Sequence, residues 1–360
     1  MKWLMAVLFV VLLLLAGFQL MPSPVDAKAW QPPAPEAMSG LLAPNERLRQ
    51  AELLAKGKVY GPEDTAINSE GVIFTGTQDG YIVRVYPDGQ VDNWLSTGGR
   101  PLGMVFDRQG NLIVADAWKG LISITLGGDI TVLSREAEGT PFRFTDDVDI
   151  AEDGRIYFTD ASSRFQQPDY QLDLLEMRPH GRLMRYSPET GKTEVLLGDL
   201  HFANGVAVAP GGAYVLVNET WKYRIHRYWL QGPKAGQAEI FADNLPGFPD
   251  NLAVDEQGRF WVAFPTLRNA SIDALHPRPW LKELVAKLPE SLQPAPQEYG
   301  LVAAFDGDGK VITSLHDTEG KHLQEITSVN PHGGYLYFGS LHNDRIGRMS
   351  LQSALDSGGP

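Results

Sequence analysis

Six times along this chain a short apolar strand runs into a tight glycine turn, and counting eight residues back from each glycine reaches comparable ground. Gly71 gives Glu63, Gly110 gives Leu102, Gly154 gives Asp146, Gly212 gives Asn204 and Gly258 gives Asp250. The sixth group, "EITSVNPHGGYLYFGS", gives Glu325 from Gly333 or Ile326 from Gly334. A second strand follows each turn, as in "LIVADA", "RIYFTDAS" and "RFWVAFP", and several groups add a third such as "YIVRVY" or "GRLMRY". Repeats of about four strands that pack only on their neighbours close into a ring. The fold class is therefore all-β: a six-bladed β-propeller over residues 45–352, with a strand from about 45–60 helping to close it. Two sandwich domains would supply the strands but not the shared register.

In such a ring every inner strand starts near the central axis on one face. Glu63, Asp146, Asn204 and Asp250 then converge as a ring of carboxylate and amide oxygens. Desolvated like charges are costly, so these groups call for a compensating cation. An all-oxygen set suits a hard cation, and Ca²⁺ accepts an irregular one better than Mg²⁺. One central Ca²⁺ is expected, held by Glu63, Asp146, Asn204 and Asp250. For any one blade the same residue could equally be an Asx-type turn starter.

The formal net charge of −13 disfavours a nucleic-acid partner. The absence of cysteine removes disulfides, zinc–thiolate sites and thiol nucleophiles. No Gly-x-Ser-x-Gly elbow is present, which removes the standard serine esterase mechanism. At the start, "MKWLMAVLFVVLLLLAGFQL" places Lys2 before an apolar run from Trp3 to Phe18. That length fits either a membrane anchor over residues 1–21 or a signal peptide cleaved near Ala27, after "VDA". Both export the domain, as a membrane-tethered or a periplasmic or secreted protein. Residues 22–44, with six prolines, read as a tether, and 353–360 as a tail.

Taken in order, "GPEDTAI", "RPLGMVFD", "VADAWKGL", "DDVDIAEDGRIYFTDASS", "FANGVAVAP", "NETWKYRIHRYWL", "GFPDNLAV" and "LYFGSL" resemble the strictosidine-synthase-like family. That family takes in the adipocyte plasma membrane-associated proteins. It belongs to a wider superfamily of gluconolactonase/regucalcin proteins and paraoxonases, all six-bladed propellers. The resemblance runs from about residue 57 to 352. In the metal-dependent hydrolases of the superfamily a central Ca²⁺ is held by a first-blade Glu and by later Asn and Asp residues. By motif these are Glu63 in "GPED", Asn204 in "NG" and Asp250 in "PDN". The remaining ligand is usually an Asn followed by Asp, and here the pair is Asp146-Asp147. Strictosidine synthase itself uses a glutamate in its sixth blade, and Thr327 stands at that position, with Glu325 two residues earlier.

The expected activity is Ca²⁺-dependent hydrolysis of a small ester or lactone by a monomer, the ion polarising the scissile carbonyl. Asp250 or Asp146 would activate water or attack directly. Trp118, Trp221 and Phe264 follow second-strand ends and would wall the substrate pocket, which Thr327 also borders. His201 is a weaker base candidate, and Asp116, Asp160 and Glu219 are candidates for the pocket entrance. Insertions at about 164–181 and 266–299 are expected near the pocket mouth. The second has helical spacing at Trp280, Leu281, Leu284, Val285 and Leu288, with Lys282 and Lys287 on other faces, and reads as an outer patch, a lid or a membrane-facing foot. A strictosidine-synthase-like amine–aldehyde lyase and a non-catalytic binding scaffold are the alternatives.

Overall fold

The computed structural model describes residues 3, 5, 9, 17–19 and 21–356. Among these, six four-stranded antiparallel sheets surround one axis. Blade one comprises Thr65–Ile67, Ile73–Gly76, Tyr81–Val85 and Val91–Ser96, and blade two Pro101–Phe106, Leu112–Asp116, Gly120–Ile124 and Ile130–Ser134. Blade three comprises Thr145–Ile150, Ile156–Asp160, Gly181–Ser187 and Lys192–Leu200. Blade four comprises Ala203–Val208, Tyr214–Glu219, Arg224–Trp229 and Ala238–Ala242. Blade five is Leu252–Val254, Phe260–Phe264, Gly300–Phe305 and Val311–Asp317. Blade six takes Ile326–His332, Tyr335–Ser340 and Ile346–Ser350 from the end of the chain, and its outer strand, Glu52–Leu54, from the beginning. Pairing of Leu53 opposite Gly347 thus ties the two ends of the ring together.

The second strands are buried apart from the first residues of those in blades four and six, as in Phe260–Phe264 and Leu112–Asp116, because both faces of a blade are covered by its neighbours. Apolar side chains from adjacent blades therefore merge: Phe74 and Ile82 of blade one pack with Met104 and Val114 of blade two. Where the inner strands begin, the ladder is irregular. The register shifts between Pro101 and Met104, Thr145 and Val148, Ala203 and Val206, and Ile326 and Ser328. Such a bulge lets two successive side chains leave the strand in directions a regular strand would not allow. In blade six the bulge brackets Thr327, not Glu325 or Ile326, because the tight Gly333-Gly334 turn joins His332 directly to Tyr335, which brings the glycines closer to the ring residue, and the count of eight overshoots.

The second residue of each bulge faces the neighbouring blade. Asp64 accepts the Met104 amide (2.8 Å), Asp147 the Val206 amide (2.8 Å) and, further along, Asp149 the Val208 amide (2.8 Å). In blades two and four the second residue is glycine, since a side chain would collide. A Cβ on Gly103 would stand 2.4 Å from Asp147 Oδ1, and one on Gly205 would stand 2.4 Å from the Asp250 carbonyl oxygen.

Residues 22–44 do not hang free as a tether. They form a strap, irregular but packed, with Val25 and Ala27 buried against Phe165, Leu175 and Ala286. Lys28 N–H donates to Glu176 O (2.8 Å) and Trp30 N–H to His276 O (3.0 Å). Arg268 donates to Pro33 O (2.7 Å) and Ser314 Oγ to Leu41 O (2.6 Å). Glu176 and His276 lie at helix ends, Tyr170–Glu176 and Ala270–Leu275, whose last carbonyls lack partners within the helix. The strap supplies those partners, which composition alone could not reveal. At the other end, Leu351–Leu355 is a short helix with Ala354 buried, so part of the presumed tail belongs to the domain. The apolar run 3–18 lies mostly outside the described residues, among which no helix is long and apolar enough to cross a membrane.

Gly205→Ala and Gly103→Ala should each lower the urea midpoint, by an amount equivalent to about 1–3 kcal/mol of overpacking. Gly110→Ala tests a different cost: no atom stands within 4 Å of its added Cβ, so only the strain at φ +83° remains.

Candidate functional site

The first residue of each bulge, or of the pair that precedes the strand in blades one and five, faces the axis. There Glu63, Asp146, Asn204, Asp250 and Thr327 line one cavity of about 140 Å³, with Leu102 from blade two. Glu63, Asp146 and Asn204 are nearly inaccessible to solvent. One oxygen of each has no hydrogen-bond partner: Glu63 Oε2, Asp146 Oδ2 and Asn204 Oδ1. The other side of the ring is held firmly. Asn251 donates to Glu63 Oε1 (3.0 Å), Thr327 Oγ1 to the Glu63 carbonyl (2.7 Å) and Gly205 N–H to the Asp250 carbonyl (3.1 Å). Asn218 also donates to the Asp250 carbonyl. These bonds fix the backbone and leave the acidic oxygens aimed at the cavity.

Burial pushes the Glu63 and Asp146 carboxyls well above the ordinary carboxylate range, and Asp250 adds to both as a neighbouring negative charge. Burial also raises Asp250 to about 7, against the pull of an Asn204 hydrogen bond. Arg100, a residue not singled out in the sequence, is buried near this ring. Its charge opposes the rise at Glu63 and Asp146, and its own pKa is lowered by burial. Its Nη1 donates to Pro101 O (3.3 Å), while Nε and Nη2 have no partner.

Among the described residues, no three His, Asp or Glu side chains are gathered tightly enough to enclose a metal ion by themselves. The ring is open, as mutually repelling acids would be. Its donor chemistry nevertheless fits a hard cation, because the buried oxygens without partners are two carboxylate atoms and an amide carbonyl pointing into one cavity.

The cavity wall is aromatic. Phe202 and Trp221 lie with ring centroids 4.3 Å apart, and Phe144 and Phe248 flank them at 5.2 and 5.7 Å. Trp221 thus stands where the sequence put it, but Trp118 and Phe264 do not line the cavity. Trp118 is half exposed on the Asp116–Gly120 turn, which no insertion covers, and Phe264 is fully buried between blades, against Gly247. Phe144 and Phe202 were missed, although each stands two residues ahead of a ring residue (Asp146 and Asn204), a spacing visible in "FTD" and "FAN".

Both insertions form the mouth: Tyr170 and Leu174 from blade three, Ile272 and Pro294–Pro296 from blade five. The blade-three helix is locked to the wall through Asp173, which is buried and accepts hydrogen bonds from Trp221 Nε1 (2.8 Å) and Ser162 Oγ (2.6 Å). In the Pro279–Ala286 helix the inward residues are Lys282 and Ala286, while Trp280 is exposed. Lys282 turns inward and donates to the Lys28 carbonyl of the strap, beside Val285, which packs on the same buried cluster as expected.

The remaining acidic candidates close turns. Asp116 accepts from Thr97 Oγ1 (2.7 Å) and the Arg100 amide (3.1 Å), and Asp160 pairs with Arg182 (2.6 Å). Glu219 is surrounded by His201, His226 and Arg224, which hold it far below the usual carboxylate range despite burial. His201 is therefore committed to Glu219 (2.8 Å) and does not line the cavity. Glu325 and His342, paired with each other, do line it at the rim.

Profiles of two families match the chain: strictosidine synthase over residues 146–233, and the strictosidine synthase-like N-terminal region over residues 40–85. Adipocyte plasma membrane-associated protein of Rattus norvegicus is 37% identical over 377 residues, covering 98% of this chain and all of the relative. Protein STRICTOSIDINE SYNTHASE-LIKE 6 of Arabidopsis thaliana is 39% identical, covering 85% of this chain and 84% of the relative. Among solved structures, a gluconolactonase of Xanthomonas campestris superposes with a TM-score of 0.62 at 18% identity, covering 92% of this chain and 99% of that one. The calcium-binding protein regucalcin of Agrobacterium tumefaciens gives 0.58 at 14%, covering 83% and 90%. Those two likenesses concern the propeller fold. With such identity to its full-length relatives, the chain belongs to the strictosidine-synthase-like family that includes the adipocyte plasma membrane-associated proteins.

Proposed function

We propose that this chain hydrolyses small esters or lactones with the help of Ca²⁺ or another hard divalent cation, as an exported protein tethered by residues 3–21. The observation that carries the reading is the meeting of Glu63, Asp146, Asn204 and Asp250 in one aromatic-walled cavity, with buried oxygens that no protein group satisfies. Those four residues are the ones that would hold the ion. When bound, such an ion supplies charge that stabilises a developing oxyanion. The chain's own residues do the rest. Trp221 and Phe202 take the apolar part of the substrate and exclude water. Asp250, which faces the same cavity, is placed to act as general base on a water molecule there.

The lyase reading is disfavoured by Thr327. Its hydroxyl is buried and donates to the Glu63 carbonyl, so it positions the ring and cannot serve as the acid–base group a glutamate would provide. For location, the packing of Val25 and Ala27 under the blade-three and blade-five insertions favours a retained anchor, since cleavage near Ala27 would remove both contacts.

Asp250→Ala or Glu63→Ala should abolish calcium binding, read by isothermal titration calorimetry, together with chelator-sensitive turnover of aryl esters or lactones. Circular dichroism should stay unchanged. Full calcium-dependent turnover in Asp250→Ala would refute the site.

A pH dependence follows from the same carboxyls. Asp250 titrates near 7 in the folded chain and near 3.8 when unperturbed, so between those values the folded chain holds a proton that the unfolded chain has released. Stability is therefore lost as pH rises from about 4 through about 7, and the raised Glu63 and Asp146 act in the same direction. In chelator the Tm should be higher at pH 5.5 than at pH 8, and added Ca²⁺ should raise it more at pH 8. An equal calcium shift at both pH values would show that the ion binds elsewhere.

A further inference from the structure

The strap fixes where the N-terminal apolar run meets the domain, and that point is beside the pocket mouth. Lys287, just past the Pro279–Ala286 helix, donates to the Gln19 carbonyl (3.2 Å). From there the strap crosses the insertion of blade three at Glu176 and that of blade five at His276, and both insertions border the cavity. Three large apolar side chains stand exposed along this path: Met21 (55% exposed), Trp280 (67%) and Leu292 (66%). Leu292 lies two residues before Pro294, which lines the cavity. A Trp and a Leu held outward on a packed helix and its following turn waste apolar surface in water, whereas an interface rewards both.

We propose that the pocket-mouth face lies against a lipid bilayer, with Met21, Trp280 and Leu292 entering the interface of zwitterionic lipid. The proposal rests on the tethered reading above. The tether ends at Met21 and is held on this face by the strap, so the domain has little freedom to swing the mouth away. Charge favours neutral headgroups: the chain carries a net −13, and anionic lipid would repel it. The substrate class follows, because a cavity opening onto lipid between Leu174, Ile272 and Pro294 draws esters or lactones that partition into the bilayer.

The natural chain has no cysteine, so single-cysteine labelling is clean. Full-length Leu292→Cys and Gln109→Cys would each carry an environment-sensitive fluorophore and be reconstituted into phosphatidylcholine vesicles. Gln109 is exposed on the blade-two hairpin turn, on the opposite face. The label at 292 should shift to the blue and brighten several-fold, while that at 109 stays as in buffer. Trp280→Ser should reduce the shift at 292. If the chain floats with vesicles but both labels remain equally wet, the orientation is wrong and the tether stands. If it does not float with vesicles, both readings fall.

Discussion

Two adjacent polar side chains at the start of an inner strand, one of them satisfied and the other not, set the character of this molecule. Asp64 and Asp147 show the satisfied member: each buried carboxylate accepts a backbone N–H from the next blade, at Met104 and Val206. These carboxyl oxygens accept backbone amides at 2.8 Å and so join sheets that share no ladder. Glu63 and Asp146 are the other member. The bulge that sends Asp147 sideways turns Asp146 to the axis, so blade cohesion and the acidic cavity arise from one backbone irregularity. This explains why Pro-Asp-Asn stands directly ahead of the fifth inner strand. Asp250 faces the cavity, and Asn251 reaches across to Glu63 Oε1.

The repeat made much of this legible. Period-two strands, glycine turns and a constant offset locate Glu63, Asp146, Asn204 and Asp250 because each inner strand repeats the same geometry. Two kinds of feature escaped. The sixth position slipped to Thr327 because a register count assumes a fixed hairpin length, and the Gly333-Gly334 turn departs from it. Trp118 and Phe264 were misplaced because a strand end fixes height above the sheet but not the direction of the side chain. Arg100 was invisible for another reason: its role depends on which acids stand beside it across two blades, a property of the closed ring and not of the segment.

The strap and the insertions form a second layer with its own logic. Segments without regular structure leave backbone groups to satisfy, and here the carbonyls of Glu176 and His276 meet the amides of Lys28 and Trp30. Trp30 then stacks near Tyr223 and His276, with the Lys222 ammonium 4.3 Å from its ring centroid. Since Asp173 joins the blade-three helix to Trp221, the strap, the mouth and the aromatic wall form one connected unit. Composition reads such a segment as a linker because prolines are counted and their partners are not.

Charge balance gives the layers a common reason. Glu63, Asp146 and Asp250 face the cavity, and Asp64 and Asp147 are buried beside them, while Arg100 is the buried cation whose charge acts on Glu63 and Asp146. One guanidinium cannot neutralise five carboxyls, and it does not try to bond them: two of its nitrogens remain without partners. Its positive charge favours the ionised forms of Glu63 and Asp146 without filling their open oxygens. A fully paired acid network would have made a stable plug on the axis. Leaving Glu63 Oε2, Asp146 Oδ2 and Asn204 Oδ1 unmet costs stability, and the raised carboxyls record that cost. Such a cost is tolerable where something outside the chain completes the set, and the aromatic-walled cavity is where these unmet oxygens converge.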